Sequence, residues 1–364
     1  MKYAFQSPPK NLCILRLSAI GDVSHVIPTL HILQKNWPNT KITWIIGKTE
    51  FGLVKDIPNI EFILFDKSKG WKAHFDLWKT LSDRKFDLLL HMQASLRASL
   101  ASLAVKAPIR LGFDRKRAKN YQWLFSNQKI AATPRQHVLN SFLEFPKKLG
   151  MKTDKLIWDI PIPETSKRKV KKLLPQGKTI LAINPCSSMR IRNYRNWNIE
   201  SYAKIIDFAY EKYALTTVLT GGTSKMETEY AAAIAEKATA KPINLVGKTT
   251  LKELLAVLKI ATIAISPDTG PAHLANAVGT PVIGLYATSN PDRTGPYMNR
   301  ELTVNKYQVA VQKELKKTVD KIPWGKRVRN PKAMDMIAIE DVKEKLQLAV
   351  TSPRVTIYID SSID

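Results

Sequence analysis

Short apolar runs alternate with longer, mixed runs along the first half of the chain. LCILRL (12–17), KITWIIG (41–47), EFILF (61–65) and DLLLHMQ (87–93) are rich in β-branched and large apolar residues and read as buried strands. Between them, VSHVIPTLHILQKNW, the segment near FGLVKDI, and HFDLWKTLSDRK carry helical patterns. The second half repeats the theme. TILAINP (179–185), TTVLTGG (216–222), PINLVG (242–247), TIAISPD (262–268) and PVIGLYA (281–287) read as strands. NIESYAKIIDFAYEKY, SKMETEYAAAIAEKATA, LKELLAVLKI and GPAHLANAV read as helices, and IEDVKEKLQLAV (339–350) is the last helical run. Alternation of this kind predicts an α/β protein with parallel sheets covered on both faces, here two Rossmann-like doubly wound domains. We expect an N-terminal domain over 1–165 and a C-terminal domain over 166–338. The closing helix and tail, 339–364, are expected to pack back on the first domain. The proline- and lysine-rich PIPETSKRKVKKLLPQGK offers a linker near 161–167, and the tail TSPRVTIYIDSSID reads either as a further strand or as a frayed end.

Length agrees with two domains: 364 residues exceed what one compact core usually holds. With 44% hydrophobic and 24% charged residues, the composition is that of a soluble globular protein. No apolar run reaches the roughly 18–20 residues that cross a bilayer. Prolines interrupt MKYAFQSPPK where a secretory signal would be apolar, so a cytosolic location is expected. Cys13 and Cys186 lie far apart in strand-like segments and read as buried thiols of a reducing compartment. The net charge of +26 changes the picture most. It attracts polyanions: nucleic acid, an acidic membrane face or a phosphorylated substrate. Basic clusters lie in RLGFDRKRAK, SKRKVKK and KKTVDKIPWGKRVR, with neither zinc-finger spacing nor an RNP-like aromatic pattern. A membrane surface or anionic substrate is thereby favoured over nucleic acid.

Ligands of doubly wound sheets bind beyond the carboxyl ends of the strands, so a cleft between two such domains is the expected active site. In TIAISPDTGPAHLANAV, Asp268, Thr269 and Gly270 close a strand, and a helix opens near Pro271, where a missing N–H costs nothing. Free amides of Thr269, Gly270 and the first turn suit a phosphate, and His273 lies in that turn. A simple helix cap by Asp268 or Thr269 explains the same residues equally well. In NPCSSMRIRNYRNW a strand ends at Asn184–Pro185, and a loop follows with Ser187, Ser188, Arg190, Arg192 and Arg195. Hydroxyls and guanidinium groups there can clamp a diphosphate; an exposed basic loop is the plainer alternative. Glu227, after the Gly221–Gly222 turn, can accept from ribose hydroxyls or simply suit a first helical turn, and Lys248 and Thr249 read as pocket lining. The absence of GxxxxGK[ST] and of a well-placed GxGxxG argues against a P-loop NTPase and an ordinary NAD dehydrogenase. No D-x-D pair is present to hold a divalent ion on a diphosphate, so the basic loop and helix N-termini must neutralise one. Asp22, behind Gly21 at the junction of the first strand and helix, is either a helix cap or a general base. One base suffices where the departing group is a diphosphate that needs little protonation, unlike glycoside hydrolysis with its two carboxylates.

SAIGDVSHVIPTL, NPCSSMRIRNYRNWNIESY, TGGTSKMETE and SPDTGPAHLANAVGTPVIGLYATSNPDRTGPY together resemble the ADP-heptose:lipopolysaccharide heptosyltransferases, glycosyltransferase family 9, from about Asn11 to Val350. YQWLFSNQKIAATPRQHVLNSFLEFPKKLG and PWGKRVRNPKAM are similar to the heptosyltransferase I branch. The resemblance implies a GT-B fold, with two Rossmann-like domains facing a central cleft, and inverting, metal-independent transfer of heptose from ADP-heptose to Kdo of Kdo–lipid A, with no cofactor. It implies Asp22 as catalytic base and Arg195 as the cation on the departing phosphate. It implies Ser187 and Ser188 as diphosphate contacts, Glu227 as ribose ligand, and Asp268, Thr269, Gly270 and His273 as the D-T-G-x-x-H donor element, with Thr249 lining the donor pocket. An enzyme of this kind works in the cytoplasm against the anionic inner membrane and takes no nucleic acid. A carboxylated, phosphorylated acceptor fits the basic charge. Gln93, Arg97, Arg115, Arg117, Lys119 and His137 are candidates to bind it, as are Lys67, Lys69 and Lys72. Two rival readings remain: another GT-B enzyme with a different nucleotide sugar or acceptor, and a basic scaffold that binds acidic lipid or nucleic acid without turnover.

Overall fold

A computed structural model of the protein describes residues 7–187 and 194–351. The chain divides into two units, Met1–Pro161 and Ile162–Asp364. The first contains β1 (Asn11–Leu15), α1 (Ile20–Asn36), β2 (Lys41–Gly47), α2 (Lys48–Val54), β3 (Ile60–Phe65), α3 (Lys72–Leu81), β4 (Leu88–His91), α4 (Leu96–Ser102), β5 (Ile109–Gly112), β6 (Gln128–Lys129) and α5 (Val138–Lys148). Its strands form one six-stranded sheet in the order β3-β2-β1-β4-β5-β6, and every pairing is parallel. Apolar runs such as LCIL of β1 and LLLH of β4 are buried on both faces, as a covered parallel sheet requires. Cys13, Leu15, Ile45 and Leu89 pack with Ala73, Leu77 and Leu81 of α3 and Ala98 and Ala101 of α4. Val23, Val26, Ile27, Leu30 and Leu33 of α1 are fully buried, each worth about 1.5–3 kcal/mol. Trp158 ties the unit's last segment to α1 by donating to the Ser24 carbonyl at 3.1 Å.

The second unit contains α6 (Glu164–Leu173), β7 (Ile180–Ile183), α7 (Ile199–Tyr213), β8 (Thr216–Leu219), α8 (Lys225–Lys237), β9 (Ile243–Asn244), α9 (Leu251–Ile260), β10 (Ile263–Pro267), α10 (Gly270–Ala277), β11 (Val282–Tyr286), α11 (Pro291–Thr294), β12 (Val304–Asn305), α12 (Tyr307–Leu315) and α13 (Ile339–Thr351). Its six-stranded parallel sheet runs β12-β11-β10-β7-β8-β9. Counted from its own first strand, this is the winding of the first unit again. In each sheet the order reverses between the first and fourth strands, β1 and β4 in one and β7 and β10 in the other, and this switch point is where such sheets bind ligands.

Several expectations need correction. Within the second unit, Val342 and Leu346 of the closing helix α13 sit in the core, and the helix contacts α7 and β11. Their burial against those apolar neighbours holds it there. The proposed linker 161–167 overlaps α6, whose first turn begins at Glu164 and whose Val170 is fully buried. The strand expected over 242–247 shortens to Ile243–Asn244, and a turn follows directly, with the Lys248 amide donating to the Leu245 carbonyl at 3.0 Å and Gly247 at a positive φ of 75°. The tail after Thr351 lies outside the described residues. Among those described, no helix is long and apolar enough to cross a membrane.

Candidate active site

At the first unit's switch point, the segment from Arg16 to Ala19 leaves β1 and turns into α1. Ala19 is the N-cap and has no side chain to cap with. Asp22, in the first turn, is not a cap either: its carboxylate is ion-paired to the Arg16 guanidinium, and its side chain stays 37% exposed. Arg16 is buried, donates from Nη1 to the Met92 carbonyl at 2.7 Å and lies over the Phe142 ring at 5.2 Å. The arrangement holds an accessible carboxylate against a cation that is itself fixed on three sides. Gln93, just past β4, braces the same turn: Oε1 accepts from the amides of Leu17 at 2.7 Å and Ser18 at 3.1 Å.

A cavity of about 190 Å³ opens beside this turn, walled by Ser18, Glu50, Lys67, Ser68, Gln93 and Arg97. Glu50 is buried there, and burial pushes its carboxyl above the ordinary value against the opposing charges of Lys67 and Arg16. Thus Gln93 and Arg97 join the surroundings of Asp22's loop. The other acceptor candidates fall elsewhere. Arg117 is ion-paired to buried Asp114 and donates to Ser141 Oγ at 3.1 Å and to the Ala131 carbonyl. Arg115 stacks over Trp123 at 5.0 Å and lines a second cavity of about 570 Å³ with Lys129 and Lys148. Lys119 is exposed in the loop after Arg117. His137 caps α5, Nδ1 accepting from the Leu139 amide at 3.1 Å, and packs edge-on to His25 at 5.6 Å.

At the second unit's switch point, the residues following β7 and β10 meet. Arg195 is buried, donates from Nη1 to the Asp268 carbonyl and stands 3.4 Å from the Asp268 carboxylate. Burial pushes the Asp268 carboxyl up, but Arg195, His273 and Arg327 outweigh it and hold it below its ordinary value. Thr269 is the N-cap residue of α10 yet makes no side-chain cap; its hydroxyl is 3.3 Å from Asn184 Oδ1 and 3.1 Å from Ser266 Oγ. Neither Asp268 nor Thr269 therefore spends its side chain on capping α10, which removes the plainer explanation of D-T-G. Pro271 follows Gly270 in the first turn, with buried His273 two residues on. Ser187 is buried, and its amide and hydroxyl both donate to Asn196 Oδ1, at 2.9 and 3.1 Å, beside Arg195. Ser188, Arg190 and Arg192 lie outside the described residues. Glu227 closes the next loop: Oε1 accepts from the Gly222 amide at 2.9 Å and Oε2 from the Ser224 hydroxyl at 2.6 Å. Thr249 is half-buried just before Thr250, which caps α9 in a capping box with Glu253. Both cysteines are buried free thiols; burial raises Cys186 to about 12, Glu227 adding to it. Among the described residues, no group of three or more His, Cys, Asp or Glu could hold a metal ion.

Sequence reasoning missed Arg16, Glu50 and Arg327, whose guanidinium lies 3.8 Å from the Asp268 carboxylate. Arg327 stood inside a basic cluster already singled out, so its signal was present but not its address. Arg16 lay in an apolar strand run, and nothing in the spacing marks which strand cation is buried against a carboxylate.

Two doubly wound α/β units with the same winding place the chain in the GT-B fold class. The chain belongs to glycosyltransferase family 9, the heptosyltransferase family, whose model matches residues 74–324. It is 40% identical to the lipopolysaccharide core heptosyltransferase OpsX of Haemophilus influenzae over 342 residues, 93% of this chain and 96% of that protein. Its fold is similar to that of a glycosyl transferase family 9 protein from Veillonella parvula, with TM-score 0.77, 23% identity and coverage of 94% and 97% of the two chains. E. coli heptosyltransferase WaaC, solved with ADP, superposes with TM-score 0.71 at 18% identity, covering 93% of this chain and 99% of that one.

Proposed function

We propose that the protein transfers L-glycero-D-manno-heptose from ADP-heptose to a Kdo hydroxyl of Kdo–lipid A, the first heptose step of the lipopolysaccharide inner core, at the cytoplasmic face of the inner membrane. The observation that carries the mechanism is the accessible Asp22 carboxylate held by buried Arg16. Asp22 takes the proton of the acceptor hydroxyl as its oxygen bonds to the anomeric carbon. The bond from that carbon to the diphosphate breaks on the opposite face, its electron pair leaving with ADP and the anomeric centre inverting. Arg195, Arg327 and the opening amides of α10 offset the charge gathering on ADP, a preorganised electrostatic role that needs neither metal nor cofactor. The resemblance to an ADP-bound heptosyltransferase supports the donor. The 190 Å³ cavity with Arg97, Lys67 and Gln93 suits a carboxylated sugar, which makes these three the acceptor contacts in preference to Arg115, Arg117, Lys119 and His137.

The test is a donor and acceptor panel read by product mass. Asp22→Ala should lower transfer by about 10²–10⁴-fold while ADP-heptose still binds; full turnover by that variant removes Asp22 as base. Transfer to a core that already carries heptose, with none to Kdo–lipid A, would move the enzyme to a later step of the same pathway.

A further inference from the structure

One face of α3 carries large aromatic side chains that the unit's core does not use. Ala73, Leu77 and Leu81 point into the core. Trp71, at the N-cap, Phe75 and Trp78 are 70%, 68% and 57% exposed. At about 100° per residue, these three positions fall in one strip roughly 60° wide, clear of the buried stripe. Lys72 and Lys79, both exposed, lie together along one edge of the strip, while Lys69 is occupied by Asp76 at 3.0 Å. Scattered exposed apolar residues are ordinary, but three aromatic rings aligned along one helix are a surface with an occupant. The strip also begins beside the polar cavity: Lys67 and Ser68, in the turn that leads into α3, form part of the cavity wall with Arg97.

We propose that α3 docks the enzyme on an anionic bilayer. Trp71, Phe75 and Trp78 enter the headgroup–acyl boundary, where indoles with an apolar body and a polar N–H are at home. Lys72 and Lys79 face the lipid phosphates, and the formal charge of +26 draws the whole chain to that surface. The docked helix holds the neighbouring cavity at the height of lipid-borne sugars. This deepens the functional reading above and rests on it for the identity of those sugars. A membrane is favoured over a second copy or a protein partner because cations border the rings and charge is so unbalanced toward basic.

The test is co-sedimentation of the full chain with vesicles of phosphatidylethanolamine and phosphatidylglycerol, against vesicles of phosphatidylcholine alone. Binding to the anionic vesicles with a blue shift of tryptophan emission is expected. The combined Trp71→Gln, Phe75→Gln, Trp78→Gln variant should bind them about tenfold more weakly or less, with unchanged melting temperature and unchanged transfer to a deacylated, water-soluble acceptor. Lys72→Glu with Lys79→Glu keeps the rings and should weaken binding to the anionic vesicles selectively. Equal binding by the aromatic variant overturns the proposal. So does a wild-type chain that ignores vesicles, or one whose self-association, not its vesicle binding, the variant abolishes. Vesicle binding without heptose transfer to any acceptor would leave docking standing and sink the functional reading; transfer to the soluble acceptor without vesicle binding would do the reverse.

Discussion

His91 shows how one buried side chain sets a response to acid. It closes β4, takes no solvent, and its Nδ1 lies 3.0 Å from Gln122 Nε2. Burial, with the charges of Arg110 and Arg16, pushes its pKa from 6.5 down to about 3. The folded protein thus keeps it neutral while the unfolded chain protonates it near 6.5. The unfolded state binds the extra proton in that window, so His91's contribution is present above pH 6.5 and is lost as pH falls toward 3. Denaturant titrations of His91→Asn across this range should give a flatter fall of stability with acid than wild type; an equal slope would assign the acid response to other groups. At this scale the sequence was legible where a charged residue directly follows an apolar strand, as Asp268 follows β10. It was silent on Arg16 and Glu50, because their roles arise from burial beside a charge, and burial of a cation or carboxylate leaves no periodic mark. His137, a candidate acceptor contact by its sequence, stands at the head of α5 and caps it.

Between the elements, glycine decides how tightly loops close over the switch points. A Cβ on Gly47 would lie 2.4 Å from the Leu17 carbonyl, which is backbone and cannot yield. Gly47→Ala should therefore destabilise the first unit, by about 1–3 kcal/mol, as crowding of a packed interior does. A Cβ on Gly222 would meet the Glu227 carboxylate at 2.9 Å, the far end of a side chain that can swing aside. Gly222→Ala should leave the melting temperature nearly unchanged and weaken donor binding, measured by calorimetry with ADP. An unaltered affinity would show that Glu227 is only helix chemistry. Elements with long apolar runs were legible: KITWIIG and LKELLAVLKI occupy the same residues in the structure. The four-residue β5, the two-residue β6 and β12, and α5 were not foreseen. Two-residue strands carry too few positions for a period, and the place of β6 and β12 is set by pairing with the neighbouring strand.

Over the whole chain, repetition of the winding was legible in the alternation of runs, and the path of the last helix was not, since an amphipathic helix does not name the surface that receives it. That path has a consequence for the donor turn. Trp197 follows Arg195 by two residues, is fully buried, and donates its indole N–H to the Ile337 carbonyl at 3.0 Å. Just beyond Ile337, Val342 and Leu346 seat α13, each worth about 1.5–3 kcal/mol of burial. A chain cut before residue 337 should lose ADP affinity along with thermal stability, and a cut after Thr351 should lose neither. The distal end of the polypeptide thus serves as the peg on which the nucleotide's landing place hangs.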